Sequence, residues 1–310
     1  MKRTLIFGLA LAFICACVFF VLSMPDPLQA DDLPARDADL ENGELIFWAG
    51  GCASCHAAPG ATDDDLLRLS GGVELATPFG VFKSPNISPD PDSGIGNWST
   101  LDFVNAMVRG LSPDLEHYYP AFPYPHYQNI TFVDLIDLKA YLDTLPPSPN
   151  QVAEHDLSFP YSVRRGVGLW KWRYLARNQS QPDGAATAQL ERGRYLVTGP
   201  AHCGACHTPR DGYGGELIER FLAGAESFEV APESAAESAE RIPNITPHAD
   251  GIGGWSESDI AYSLESGFDP DFDSFGGSMV EVQENMARLP ADDRAAIAAY
   301  LKSIPPQPSD

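Results

Sequence analysis

Cys52-Ala53-Ser54-Cys55-His56 and Cys203-Gly204-Ala205-Cys206-His207 each set two thiols and an imidazole in one short segment. Thiols at that spacing can add across the two vinyl groups of a haem, and the histidine that follows reaches the iron from the same segment. On this chemistry Cys52 and Cys55 hold one haem, with His56 on its iron. Cys203 and Cys206 hold a second, with His207 on its iron. A Cys-x-x-Cys pair can also serve zinc or act as a redox dithiol. Zinc needs further ligands at matching spacing, and the two other cysteines, Cys15 and Cys17, lie in an apolar N-terminal run. A thioredoxin-like dithiol sits in a strand-helix-strand pattern, whereas the sequence around both motifs reads as helical. No cysteine remains for a long-range disulfide between the two halves.

The sixth ligand of each iron is a separate question. In the second copy Gly276-Gly277-Ser278-Met279 follows a turn-rich stretch and precedes the last helix. A methionine there can approach the iron from the opposite face, and Met ligation raises a haem potential. Met286 competes, but its neighbours read as core. The first copy carries no methionine in the matching stretch, Tyr119 to Tyr127, and Met107 lies inside a helix. His126, after a proline-rich turn, is the expected ligand there. His117 is second, and an open first iron is the alternative.

These segments recur in a frame that repeats once. Asn86-Ile87-Ser88-Pro89 matches Asn244-Ile245-Thr246-Pro247. Gly94 to Ser99 matches Gly251 to Ser256, and Ala140-Tyr141-Leu142 matches Ala299-Tyr300-Leu301. Counting the haem motifs, the four offsets are 151, 158, 157 and 159 residues, which reads as a duplicated domain. Each copy is expected to be helical. Leu40 to Ala49 and Gln189 to Val197 lead into the cysteine pairs. Ser99 with Asp102, and Ser256 with Asp259, read as helix starts, with Gly110 and Gly267 as stops. The last helices run over Phe132 to Leu145 and Ala291 to Ile304, each ended by a proline pair. A connector from about Ser148 to Ala186 holds Trp170, Trp172 and Tyr174, dense enough in aromatics to read as packing between domains. Glu226 to Glu240 reads as a solvated loop.

The N-terminus is a targeting segment. Lys2 and Arg3 precede an uncharged run from Leu5 to Leu22. A positive start before an apolar stretch is an export signal, and this run is also long enough for a membrane anchor. Cleavage after Ala30 is one outcome and a retained anchor the other; a lipoprotein box at Ile14 to Cys17 ranks below both. The rest of the chain then lies outside the inner membrane, in the periplasm. The formal charge of -23, from 43 acidic and 20 basic residues, excludes a nucleic-acid partner and suits a partner with a basic docking patch.

Together, Gly50 to His56, Thr77-Pro-Phe-Gly80, Pro85 to Asp90, Tyr119 to Tyr124, Pro243 to Pro247 and Gly251 to Ser256 resemble diheme c-type cytochromes that serve as electron-acceptor subunits of periplasmic dehydrogenases. The resemblance covers about Leu40 to Pro306. It implies an all-α chain of two tandem class I cytochrome c domains joined by a linker. The expected boundaries are 1-30 for the signal or anchor, 31-147 and 187-310 for the domains, and 148-186 for the linker. It implies two covalent haem c groups, a dehydrogenase partner, a downstream cytochrome or oxidase, and no catalysis of its own. The family's methionine falls on Met279, whereas Phe122 stands at its first-domain counterpart. Related sequences with histidine after the Phe-Pro-Tyr turn point to His126. The rival reading is a haem enzyme with an open first iron, a diheme peroxidase or a sulfur-compound oxidoreductase. A haem-based sensor ranks last.

Overall fold

The computed structural model describes residues 2–175, 187–227 and 241–309. Helix α1 (Lys2–Leu22) is exposed along nearly its whole length and meets the connector at its C-terminal end. The first half then runs through α2 (Leu40–Ala49), α3 (Cys52–His56), a hairpin of β1 (Glu74–Thr77) and β2 (Gly80–Lys83), α4 (Thr100–Arg109), α5 (Tyr124–Tyr127) and α6 (Phe132–Leu142). The connector adds β3 (Asp156–Leu157) and α7 (Val167–Tyr174). The second half repeats the order with α8 (Ala188–Thr198), α9 (Gly204–His207), β4 (Ala225–Glu226), β5 (Arg241–Ile242), α10 (Glu257–Ser266), α11 (Met279–Met286) and α12 (Ala291–Ser303).

Local chemistry sets the helix ends. Ser99 accepts a hydrogen bond from the Asp102 amide, and the Asp102 side chain returns one to the Ser99 amide; Ser256 and Asp259 do the same. Reciprocal bonds of this kind satisfy two donors that a helix start leaves open. Gly110 and Gly267 end those helices in the left-handed region, at φ 57° and 78°, where a β-carbon is costly. The helix predicted to reach Leu145 ends at Leu142, although Leu145 is still buried in the first core.

One close helix crossing holds each half. α2 packs on α6, and α8 on α12. A β-carbon at Gly43 would stand 2.3 Å from Asp137 O, and one at Gly193 would stand 1.9 Å from Ala296 O. Both crossings are thus close enough to demand glycine. Each half has its own apolar core, one around Phe47, Val104, Leu135 and Leu138, the other around Leu196, Leu222, Ile297 and Leu301.

Helices dominate, but the all-helical expectation missed the strands. β1, β2 and β3 form a small antiparallel sheet, so the connector is pinned to the first half. β4 and β5 form a two-residue ladder. The expected connector end and solvated loop lie largely outside the described residues, which stop at 175 and 227 and resume at 187 and 241.

Candidate functional site

Each Cys-x-x-Cys-His segment is a single short helical turn set directly after a long helix. In the first half, α2 ends at Gly50 and α3 begins past Gly51, so the chain turns sharply into Cys52. In the second, α8 ends at Gly199 and the chain re-enters a turn at Cys203. None of the four cysteines is in a disulfide. Burial, and then the partner thiols, push Cys52 and Cys203 up to about 12.

The two histidines are held alike. His56 Nδ1 lies 2.8 Å from Pro85 O, and His207 Nδ1 lies 2.8 Å from Pro243 O. A carbonyl only accepts, so Nδ1 carries the proton and Nε2 is left with a lone pair. Burial lowers the pKa of both rings, more than the carbonyl bonds raise it, and both imidazoles are neutral. Their own carbonyls accept from Gly71 N at 2.7 Å and Gly224 N at 2.8 Å.

The repeated Pro-Asn-Ile-Ser/Thr-Pro motif explains the fixed carbonyls. Asn86 Oδ1 accepts from Ser88 N, and Asn86 Nδ2 donates to Ser148 O at 2.7 Å and Asn150 O at 2.9 Å. Asn244 Oδ1 accepts from Thr246 N, and Asn244 Nδ2 donates to Gln307 O at 2.7 Å. Each asparagine ties the proline loop to the irregular segment that follows the last helix of its half. This support was missed from sequence, although the motif's recurrence at a matching offset was the signal for it. Paired thiols, and a neutral histidine whose Nδ1 is spoken for, form the donor set that a c-type haem requires. Among the described residues no cluster of three or more His, Cys, Asp or Glu side chains gathers, so nothing completes a zinc site.

The expected sixth ligands fare differently. Met279 opens α11 and is partly exposed, while Met286 is buried in the second core, as its neighbours implied. Met107 is buried in the first core. His117 is committed elsewhere: its Nε2 bonds Ser23 O at 2.9 Å and its Nδ1 meets Lys171 Nζ at 3.1 Å. His126 lies against the second half. Its Nε2 lies 2.8 Å from Glu216 Oε1, and a β-carbon at Gly204 would meet its Cε1 at 2.8 Å. The nitrogen expected on the first iron is therefore turned to the second motif. The reason is helical geometry. Successive residues on α5 point about 100° apart, so Tyr127 takes the side toward the first motif and His126 the other. Burial, then the nearby Cys52 and Cys55 thiols, hold Tyr127 well above the usual phenol range.

The two motifs face a common interface. α5 of the first half packs on the second motif through His126. Reciprocally, Asn285 Nδ2 on α11 donates to Ser54 Oγ inside the first motif at 2.8 Å. Asn129 Nδ2 donates to Thr198 O at 2.9 Å, and Tyr195 donates to Asp134. Arg288 lies 4.0 Å above the Trp48 ring, and Tyr127 packs edge-on to His202 at 5.3 Å.

The cytochrome c family model matches residues 40–146. A diheme cytochrome c-type protein of Cereibacter sphaeroides is 48% identical over 306 residues, covering 98% of this chain and 99% of its own. The gluconate 2-dehydrogenase cytochrome c subunit of Pantoea cypripedii is 35% identical over 280 residues, with 89% of this chain and 61% of its own covered. The cytochrome c subunit of the quinone alcohol dehydrogenase of Gluconobacter oxydans is 34% identical over 280 residues, with 88% and 57% covered. The chain thus spans about three-fifths of those two dehydrogenase subunits.

Proposed function

The chain belongs to the diheme cytochrome c family, and we propose from that premise that it draws electrons from a periplasmic dehydrogenase and delivers them to a downstream cytochrome or oxidase. It carries two covalently attached haem c groups and is an electron carrier without catalysis of its own. When bound, each haem supplies a one-electron couple. Residues 31–147 and 187–310 are read as the two haem domains, with 148–186 between them. Cys52 and Cys55 tether one group and Cys203 and Cys206 the other. His56 and His207 present Nε2 to the irons, and the Pro85 and Pro243 carbonyls fix ring orientation and basicity. Met279 is the second sixth ligand. His126 is read as an interface residue and is not assigned to iron.

The observation that carries this reading is the duplicated support of the two rings, Nδ1 on a proline carbonyl at 2.8 Å in each half. Reciprocal packing of α5 and α11 on the opposite motifs supports passage between the halves. Met ligation raises the potential of the haem in the second half. Helix α1 is read as a retained inner-membrane anchor: Arg3–Leu22 has 20 residues, spanning about 30 Å, the depth of a hydrocarbon core. Redox titration of the Met279→His holoprotein tests the assignment. One couple falls and the other stays; two unmoved couples would remove Met279 from the site.

A further inference from the structure

The connector and the base of α1 form one built surface. Ser23, the residue after α1, is fully buried. Its carbonyl receives His117 Nε2 at 2.9 Å, and its hydroxyl receives Arg165 Nε at 3.0 Å. Arg165 Nη2 also donates to Phe20 O at 3.1 Å, and the guanidinium lies 5.2 Å over the Phe20 ring. Gly168 lets the chains meet, since a β-carbon there would stand 2.6 Å from Ser23 Cα. Lys171 braces the socket from behind, donating to Arg109 O and Gly110 O at 2.7 Å each and meeting His117 Nδ1. A leader that is cut away has no use for so specific a seat.

Beside that seat the connector shows side chains that a soluble face does not favour. Gly168 and Trp172 are four residues apart on α7 and so share one helix face. Gly168 touches Ser23 at the base of α1, which puts Trp172 next to the point where α1 leaves the domain. Trp172 is 68% exposed, Phe159 83%, Tyr161 40% and Val163 46%. From Leu157 to Leu175 the sequence has no Asp or Glu but carries Arg164, Arg165, Lys171 and Arg173, within a chain of net charge -23. Trp and Tyr favour the membrane–water boundary, and Arg favours anionic headgroups.

We propose that the connector face carrying Phe159, Tyr161, Val163, Trp172 and Arg173 rests on the outer surface of the lipid bilayer, held there by the socket around Ser23. The occupant is lipid because the face adjoins the end of an apolar helix long enough to span and because it sets Arg173 beside the exposed Trp172. The proposal rests on the reading of α1 as a retained anchor. Its effect is to set the first haem domain at a fixed angle to the membrane.

The test uses full-length holoprotein in nanodiscs containing phosphatidylglycerol, reduced so that low-spin haem iron is diamagnetic. A spin label at Trp172→Cys, in a Cys15→Ala/Cys17→Ala background, is compared with one at Tyr262→Cys on exposed α10. The readout is relaxation by lipid-soluble oxygen against a water-soluble nickel chelate. The label at 172 is expected to show an oxygen-to-nickel ratio several-fold above that at 262; Phe159→Cys repeats the measurement should the first variant misfold. A label at 172 open to nickel, in chains that elute with the discs, overturns the surface while leaving the anchor standing. Protection from both reagents means a protein occupant and also overturns it. Chains that lack residues 1–30 and elute apart from the discs refute the anchor and the surface together.

Discussion

Removing Glu216 tests how the halves are joined and where His126 belongs. Glu216 Oε1 lies 2.8 Å from His126 Nε2 and 3.2 Å from Arg210 Nη2, and the side chains of His126 and Glu216 are each 5% exposed. Burial alone would raise the Glu216 pKa, but His126, Arg210 and His202 outweigh it, and the carboxyl is held below its ordinary range. Deleting one member of a buried pair costs about 3–5 kcal/mol, because the other charge is stranded. Arg210 keeps the Ala205 and Gly214 carbonyls at 2.6 and 2.9 Å, which places Glu216→Ala near the lower end, about 3 kcal/mol. His126→Ala leaves Glu216 with Arg210 and loses one hydrogen bond to a charged group, about 2 kcal/mol. The double variant should then fall short of the sum by about 1–2 kcal/mol. Urea titration of the holoproteins by far-ultraviolet circular dichroism gives the cycle, and low-temperature EPR of His126→Ala gives the haem spin states. Additivity within about 0.5 kcal/mol would remove the coupling. A low-spin haem turned high-spin by His126→Ala would place the ring on iron and refute the reasoning.

Two other outcomes follow from the same structure. Gly193→Ala should destabilise by about 1–3 kcal/mol, since the new β-carbon would overlap Ala296 O and force α8 off α12; a stabilised variant, by the roughly 1 kcal/mol helix preference for alanine, would mean the crossing has slack. Acid should weaken the fold in two stages. Burial lowers His202 to about 4 from 6.5, so the unfolded chain binds its proton first. That contribution is whole above about pH 6.5 and is lost as pH falls toward 4, at up to about 1.4 kcal/mol per unit. Glu216 and Asp137 have depressed pKa values, so their contribution holds above about pH 4 and is lost below it. Denaturant midpoints from pH 8 to 3 check this, and a flat profile between 7 and 5 would contradict the first stage.

The helices were legible because their signals are local. Ser99 with Asp102 and Ser256 with Asp259 announce two starts, and Gly110 and Gly267 announce the stops. The haem segments were legible because all three chemical groups of each lie within five consecutive residues. What stayed hidden depends on partners distant in sequence. The Pro85 and Pro243 carbonyls receive rings from 29 and 36 residues away. His126 meets Glu216 at a separation of 90 residues, a contact that chain order does not announce. The connector was read as glue between domains. Trp170 does that work, donating to Tyr213 O at 3.0 Å, but Arg165 and Gly168 face the N-terminal segment and Lys171 braces the first half. That division follows from the turn of α7, which composition does not reveal. The hairpin Glu74–Lys83 was missed because its partly exposed strands, four residues each, have weak alternation.

The two short turns at 52–56 and 203–207 are each expected to hold one haem. Peptide mass mapping of the purified, proteolysed holoprotein tests it most directly. The account predicts one covalent haem on the peptide containing Cys52 and Cys55, and one on that containing Cys203 and Cys206. A haem missing from either peptide, or found on any other, would contradict it.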